Sequence, residues 1–337
     1  MILRFGVSNH LSMRDYQELS FTTSSLKDQC EGLIDCEVAP HGSVLPAVVI
    51  YGPNASGKSN FVAAIRAMQS MILWSQTRGE PGGDVLPHRP FKLNHESSDL
   101  PSRFDIDFVI DGVRHHYGFE TSAKVFEAEW LYAFPKSHQR ALFERRGDSF
   151  RFGRGLRGQN NNIAGLTRPN SLFLSAAAQN GHEYLSKVFR FFRSILHVGN
   201  ISVPGAAASN QITRDGGIDP RVISFLETIN TGVVGYRQNA VEHTEGFKTV
   251  RHELVTVLQK YTDSLDDMEK DDKHVILELA HRGQDGEEIF LDLGLESAGT
   301  RRLLIMLGLA FRALDRGWLV CADELDASLH TQASEAV

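Results

Sequence analysis

Cysteine is scarce. The 337 residues hold three, Cys30, Cys36 and Cys321, an odd number without metal-ligand spacing. A disulfide framework is therefore excluded, and a reducing, cytoplasmic setting is the expectation. Long apolar runs are also missing: the greasiest stretch, Leu303 to Phe311, ends at Arg312 and falls far short of the about 20 residues a membrane-spanning helix needs. Met1 to His10 contains Arg4 and no apolar run, so it lacks the layout of a secretory signal. No heptad pattern persists, which argues against a long coiled-coil arm, and no internal repeat is visible. A net charge of -7 gives no global pull toward nucleic acid or an anionic membrane, although a local basic stripe could still meet phosphates. With 42% apolar and 23% charged residues, the chain has the balance of a folded protein long enough for about two domains.

What is present reads as alternating strands and helices. Ile2–Val7 and Glu18–Phe21 have strand character, and Ala47–Tyr51 is a continuous apolar run that predicts a central buried strand. Phe61, Ile65, Met68 and Ile72 predict a helix after Lys58. Residues 76–101 read as a polar, mobile connection. Phe104, Ile106, Phe108 and Ile110 alternate with polar residues up to Asp111-Gly112, and the alternation resumes through Phe119, a hairpin signal with Asp105 and Asp107 on its wet face. Pro135 to Arg157 is basic: Lys136, Arg140, Arg145, Arg146, Arg151, Arg154 and Arg157 stand against Glu144 and Asp148, with Phe143, Phe150 and Phe152 interleaved. Leu185 to Leu196 predicts an amphipathic helix. Further helices are expected over Val222–Ile229 and Leu254–Leu258, and strands over Val275–Leu279 and Ile289–Leu293.

Three motifs carry chemistry. Gly52-Pro53-Asn54-Ala55-Ser56-Gly57-Lys58-Ser59 is a phosphate-loop pattern placed between an apolar run and a helix. Its glycines would let backbone N–H groups close on phosphates, Lys58 would supply a positive charge, and Ser59 would ligate Mg2+. A ligand-free Gly-rich turn would not require Lys-Ser at those places. Trp318 to Glu324 is an apolar strand ending in two carboxylates. There Asp323 would hold the metal and Glu324 would act as general base on water; a solvated acidic turn is the plain alternative. Glu296-Ser297-Ala298-Gly299-Thr300 opens a helical run from Leu303. Ser297 or Thr300 would cap that helix, or the Ser-x-Gly turn would present its N–H groups to an anion. An Asn-Lys-x-Asp guanine motif is absent, as is any Ser-His-Asp or Cys-His arrangement at recognisable spacing, and the histidines are too scattered for a metal site.

The order phosphate loop, Ser-x-Gly helix, acidic strand resembles the ABC-type ATPase heads of SMC, RecF and OLD-like proteins. In particular it resembles the AAA-family ATP/GTP phosphatases that include ATPase subunits of bacterial anti-phage systems such as Septu. Asn9 to Asp15, Pro90-Phe91-Lys92-Leu93, Glu129-Trp130-Leu131-Tyr132, Leu142-Phe143-Glu144-Arg145 and Asn170 to Ser175 resemble further signposts of that family.

The resemblance implies an α/β P-loop NTPase of ABC-ATPase head type, a mixed sheet with an antiparallel lobe and a helical insertion. The expected parts are 1–135 with the phosphate loop and β lobe, 136–273 with a basic hairpin and the insertion, and 274–337 with the signature helix and acidic strand. ATP and Mg2+ are the implied cofactors. Gly52 to Ser59 and Asn60 would bind nucleotide, Ser59 and Asp323 the metal, and Lys58 and Glu324 would be catalytic. Ser297 and Gly299 would act in trans on a nucleotide held by a second head, with His330 in the D-loop between heads. A homodimer or higher homo-oligomer follows, together with a nuclease partner, nucleic acid met through 136–157, and no membrane. Family heads continue past the acidic strand to a switch histidine, so the resemblance also implies truncation at the C-terminus. It leaves the Q-loop residue unassigned. The expected function is ATP hydrolysis driving head dimerisation in a nucleic-acid transaction or anti-phage defence. The alternative is an ATP-binding scaffold or regulator with negligible turnover.

Overall fold

A computed structural model describes residues 1–24, 32–198, 212, 217–242 and 273–323. In chain order the elements are β1 (Ile2–Ser8), β2 (Gln17–Ser20), β3 (Ile34–Asp35), β4 (Ser43–Val44), α1 (Lys58–Arg78), α2 (His95–Ser98), β5 (Ser102–Ile110), β6 (Val113–Thr121) and β7 (Phe126–Phe134). They continue with β8 (Arg140–Arg146), β9 (Ser149–Phe152), α3 (Asn160–Leu166), α4 (Phe173–Gln179), α5 (Glu183–Arg193) and β10 (Ile195–Val198). Then come α6 (Pro220–Thr228), β11 (Val233–Glu242), β12 (Lys273–Arg282), β13 (Glu288–Asp292), α7 (Ala298–Arg316) and β14 (Leu319–Ala322). The chain divides into two compact units: Met1–His197 with Gly317–Asp323, and a second built from described residues between Val198 and Arg316.

The first unit is organised on a seven-stranded antiparallel sheet, in the order β2-β1-β5-β6-β7-β8-β9. Asp111 and Gly112 both have positive φ (49° and 72°), the geometry that lets a two-residue turn follow the twist of its strands. Period-two alternation sends Phe5, Phe104, Ile106, Phe108, Tyr117, Phe119, Leu131 and Phe143 to one face, where they join the core formed with α1, α4 and α5. Phe108 stacks on Phe191 with centroids 4.3 Å apart, and Phe143 meets Phe173 edge-on at 4.9 Å. Each such ring contributes roughly 1.5–3 kcal/mol by burial.

The other face is ionic. Asp105 and Asp107 lie there, but they are not wet: they are 0% and 3% exposed. Arg4 bonds both carboxylates, Arg103 Nε reaches Asp105 at 3.1 Å, and Arg114 pairs with Asp107. His116 Nδ1 lies 2.7 Å from Asp107, and its Nε2 accepts from Trp130 Nε1 at 3.0 Å, which places the ring proton on Nδ1. Burial opposes ionisation of Asp107, but the bonds from His116 and Arg114 and the charge of Arg4 prevail, holding its pKa below the usual carboxylate value. The Trp130 ring lies so close over Gly118 that a Cβ there would overlap it.

Several expectations are corrected. Ala47–Tyr51 is not a buried strand: Val49 is 79% and Tyr51 91% exposed, and no strand among the described residues pairs with it. An apolar run becomes a strand only where a neighbouring backbone completes the ladder. Residues 84–101 are tied down, with Val85 buried and its N–H donating to Ala123 O at 2.8 Å. The helix expected over 185–196 stops at Arg193, and Ile195 opens β10, which pairs with β14. In the basic stretch the interleaving resolves by face. Phe143, Phe150 and Phe152 pack inward on Phe173, whereas Lys136, Arg140, Arg146, Arg151, Arg154 and Arg157 are exposed. Because β8 pairs with β7 in the same sheet, the boundary expected at 135/136 runs between two bonded strands.

The second unit carries the antiparallel sheet β11-β12-β13 with α6 and α7. Arg221 on α6 pairs with Asp315 at 2.5 Å and lies over Phe311 of α7. The helix expected over Leu254–Leu258 lies outside the described residues. No helix among the described residues is long and apolar enough to cross a membrane.

Candidate functional site

The phosphate-loop motif forms the entry to α1, which begins at Lys58. Gly57, its N-cap, has φ 95°, and a Cβ there would also lie 2.8 Å from Ser12 Oγ. Conformation and close approach thus both require glycine. Ala55 likewise has positive φ (63°). The first N–H groups of α1 have no intrahelical acceptor and point out of its positive end. Lys58 Nζ folds back onto the loop, donating to Gly52 O at 2.7 Å and Pro53 O at 2.8 Å. Ser59 Oγ donates to Asp323 Oδ1 at 3.1 Å, across a sequence separation of 264. Strand β14 delivers Asp323 to that position, its Cys321 buried in the core. Burial pushes the Cys321 thiol up to about 12, so it is no nucleophile at neutral pH.

Two oxygen ligands at adjacent corners of an octahedral Mg2+ shell with bonds of about 2.1 Å stand about 3.0 Å apart. The Ser59–Asp323 spacing fits one such ion. The lysine, the outward amides and the glycine-dependent turn fit a phosphate chain. Pro53, Asn54 and Ser56 are exposed on the same loop.

A neighbour that motif reading did not assign to the loop is the turn after β1. Ser12 Oγ accepts from Asn60 Nδ2 at 2.9 Å. That turn is fixed by Asn9, buried at φ 49°, whose side chain donates to Ser97 O at 2.8 Å and Leu100 O at 2.7 Å and accepts from Phe91 N at 3.1 Å. Leu11 N–H donates to Arg89 O at 2.8 Å. The quoted segments 9–15 and 90–93 are therefore two sides of one assembly beside the loop. His10 is buried against Phe104. Burial, with the charges of His88 and Arg89, lowers its pKa to about 4, so it is neutral at pH 7.

The far end of α1 is tied to the sheet by the other quoted segments. Arg168 Nη2 donates to the carbonyls of Ser75 (3.0 Å), Gln76 (2.9 Å) and Gly79 (2.9 Å), a cation on the negative end of the helix. Asn170 Nδ2 holds Glu80 O at 2.6 Å, and Ser171 Oγ holds Gln76 Oε1 at 2.6 Å. Arg145, 2% exposed, donates to Ser171 O at 2.6 Å and Gly147 O at 2.8 Å. Glu129, fully buried, accepts from Phe173 N (2.6 Å), Leu174 N (3.0 Å) and Tyr117 OH (3.0 Å). Burial raises the Glu129 pKa, opposed by Arg145 4.0 Å away and by those donors.

In the second unit Ser297 caps α7: its Oγ accepts from Thr300 N at 3.0 Å and lies 2.9 Å from Thr300 Oγ1. Gly299 lies in the first turn of that helix. Glu324 and His330 lie outside the described residues. No cluster of three or more His, Cys, Asp or Glu able to hold a metal occurs among the described residues. A family model described as AAA domain, putative AbiEii toxin, Type IV TA system matches residues 47–337. A search of curated proteins finds no match.

Proposed function

The chain belongs to this AAA-domain family, and from that premise we propose that it is an ATPase of the ABC-head type. The AAA domain itself suggests nucleotide-binding ATPase activity. The observation that carries the finer reading is the meeting of Ser59 and Asp323 beside Lys58. In this reading Lys58 leaves the Gly52 and Pro53 carbonyls for phosphate oxygens, while loop amides from Asn54 to Asn60 complete the cradle. Ser59 and Asp323 hold Mg2+, which when bound neutralises charge on the phosphoryl group. Glu324 takes the proton from the attacking water. Ser297 and Gly299 meet a nucleotide held by a second copy, which makes the working unit a homodimer or higher homo-oligomer, with His330 at the contact.

Six exposed cations on and around the β8–β9 hairpin, Lys136, Arg140, Arg146, Arg151, Arg154 and Arg157, favour a nucleic-acid partner through phosphate contacts. Only Arg151 among them faces a nearby acid, Glu144 at 3.5 Å, in the ion pairs of the described residues. A nuclease partner and a role in anti-phage defence are the biological setting we propose, on the resemblance of the motifs alone.

ATP turnover across a protein concentration series, with Glu324→Gln in parallel, tests this. Turnover per chain should rise with concentration and vanish in the variant. Turnover strictly proportional to protein would overturn the paired-head reading, and an active Glu324→Gln would remove that residue from the chemistry.

A further inference from the structure

Glu296 stands immediately before the Ser297–Gly299 turn, and its side chain is only 8% exposed. A carboxylate so far from water needs a donor. His281 on β12 supplies one: its Nε2 lies 2.6 Å from Glu296 Oε1. An ionised carboxylate only accepts, so the imidazole carries its proton on Nε2. Two other ties shape the approach to α7. Asp292 Oδ1 accepts from Gly294 N at 2.6 Å, and Arg301 Nη1 donates to Gly294 O at 3.1 Å. Both act within residues 292–301, the first from the last residue of β13, and Glu296 N–H also donates to Leu293 O at 3.3 Å; among these ties His281–Glu296 is the one that joins the residue before Ser297 to β12 through side chains. Ser297 Oγ is meanwhile occupied by Thr300, and helix geometry leaves the N–H groups of residues 298 and 299 without intrahelical acceptors.

We propose that His281 is a positioning residue for phosphate recognition by this turn. Through Glu296 it fixes the direction in which the Ala298 and Gly299 amides and the Ser297 hydroxyl meet the terminal phosphate of ATP bound to a second copy. The proposal rests on the reading of Ser297 and Gly299 as acting across a dimer. Without His281 the carboxylate must turn toward water, and the turn beside it moves.

The test measures steady-state ATP turnover for His281→Leu, His281→Asn, His281→Gln, Ser297→Ala and Lys58→Ala, each alone and in equal mixture with Lys58→Ala. His281→Leu should lose roughly ten-fold in turnover at saturating ATP, with half-saturation little changed. His281→Asn, too short to reach Glu296, should match it, and serves in its place if the leucine variant does not stay folded. His281→Gln, which retains a donor at similar reach, should recover turnover to within about two-fold. Mixed with Lys58→Ala, the leucine or asparagine variant should regain activity, because each mixed dimer contains one site with an intact loop facing an intact turn. Full activity of the variants alone, or recovery by Ser297→Ala but not by His281 variants in the mixture, would overturn the His281 role. Failure of Ser297→Ala itself to recover would instead overturn the dimer reading, and the proposal with it.

Discussion

At its N-terminal end α1 offers amides without intrahelical acceptors, an exposed Ser59 and a lysine folded onto its own loop, whereas at its C-terminal end carbonyls are held by Arg168 and the neighbouring loop by Asn170. One end of the helix is left able to exchange partners. The other is closed by side chains of a segment whose backbone is held by Arg145 and Glu129 of the sheet. A helix that must present charge to a ligand at one end gains from rigid attachment at the other, because binding then need not order the scaffold. The comparison also separates two kinds of charge in this sequence: Lys58 lies on an exposed loop and is the residue we propose meets a ligand, while Arg145, Arg168 and Glu129 hold the fold.

The largest effect that would sharpen this contrast is on chemistry. Lys58→Ala should lower ATP turnover roughly a thousand-fold while shifting the unfolding free energy by no more than about 0.5 kcal/mol, read by urea denaturation. A strongly destabilised Lys58→Ala would break the comparison, since it would make the lysine part of the scaffold. Arg168→Ala should do the opposite. It leaves the Ser75, Gln76 and Gly79 carbonyls without their donor and should cost about 3 kcal/mol of stability, with ATP affinity of the folded fraction retained. A selective loss of ATP affinity at unchanged stability would assign Arg168 to the ligand end instead.

The smallest effect is a pH dependence seated beside the loop. His10 has a folded pKa of about 4 against the ordinary 6.5, so between these values the unfolded chain binds the proton more readily. Stability should therefore fall as pH drops from about 6.5 to 4 and level off below, by at most about 3 kcal/mol from this residue. His197, lowered to about 4 chiefly by burial with a further contribution from Arg66, adds in the same direction. His10→Phe should flatten part of that slope in urea melts at pH 4.5 and 7. An unchanged slope would mean that His10 is wetter than its contacts imply.

The loop before α1 and the strand that delivers Asp323 were legible because particular residues in a fixed local order mark them, Gly52 to Ser59 and Trp318 to Asp323. The glycine at 57 and the Asp111-Gly112 hairpin were legible for the same reason: backbone geometry there restricts the choice. The roles of Glu129 and Arg145 were not read from the residues themselves, although a signal existed. Glu129 falls in phase with Leu131 and Ala133, and Arg145 with Phe143, so both charges occupy inward positions on neighbouring strands whose register sets them opposite each other. A charge in the apolar phase of a strand calls for a buried partner, and that partner was the missing half. Asp105 and Asp107 failed in the reverse way, since their polar phase was correct but three arginines cover them.

The sequence by itself determined the phosphate-loop motif and the alternation of the large hairpin, since each depends on neighbours within a turn or a strand. Tertiary structure alone decided that Ser59 meets Asp323, that Ser12 adjoins the loop, that the basic stretch sends its rings and Arg145 inward and its other cations outward, and that Ala47–Tyr51 joins no sheet among the described residues. Periodicity is a property of the local backbone, whereas burial, pairing and the convergence of side chains depend on groups as distant in the chain as Ser59 and Asp323.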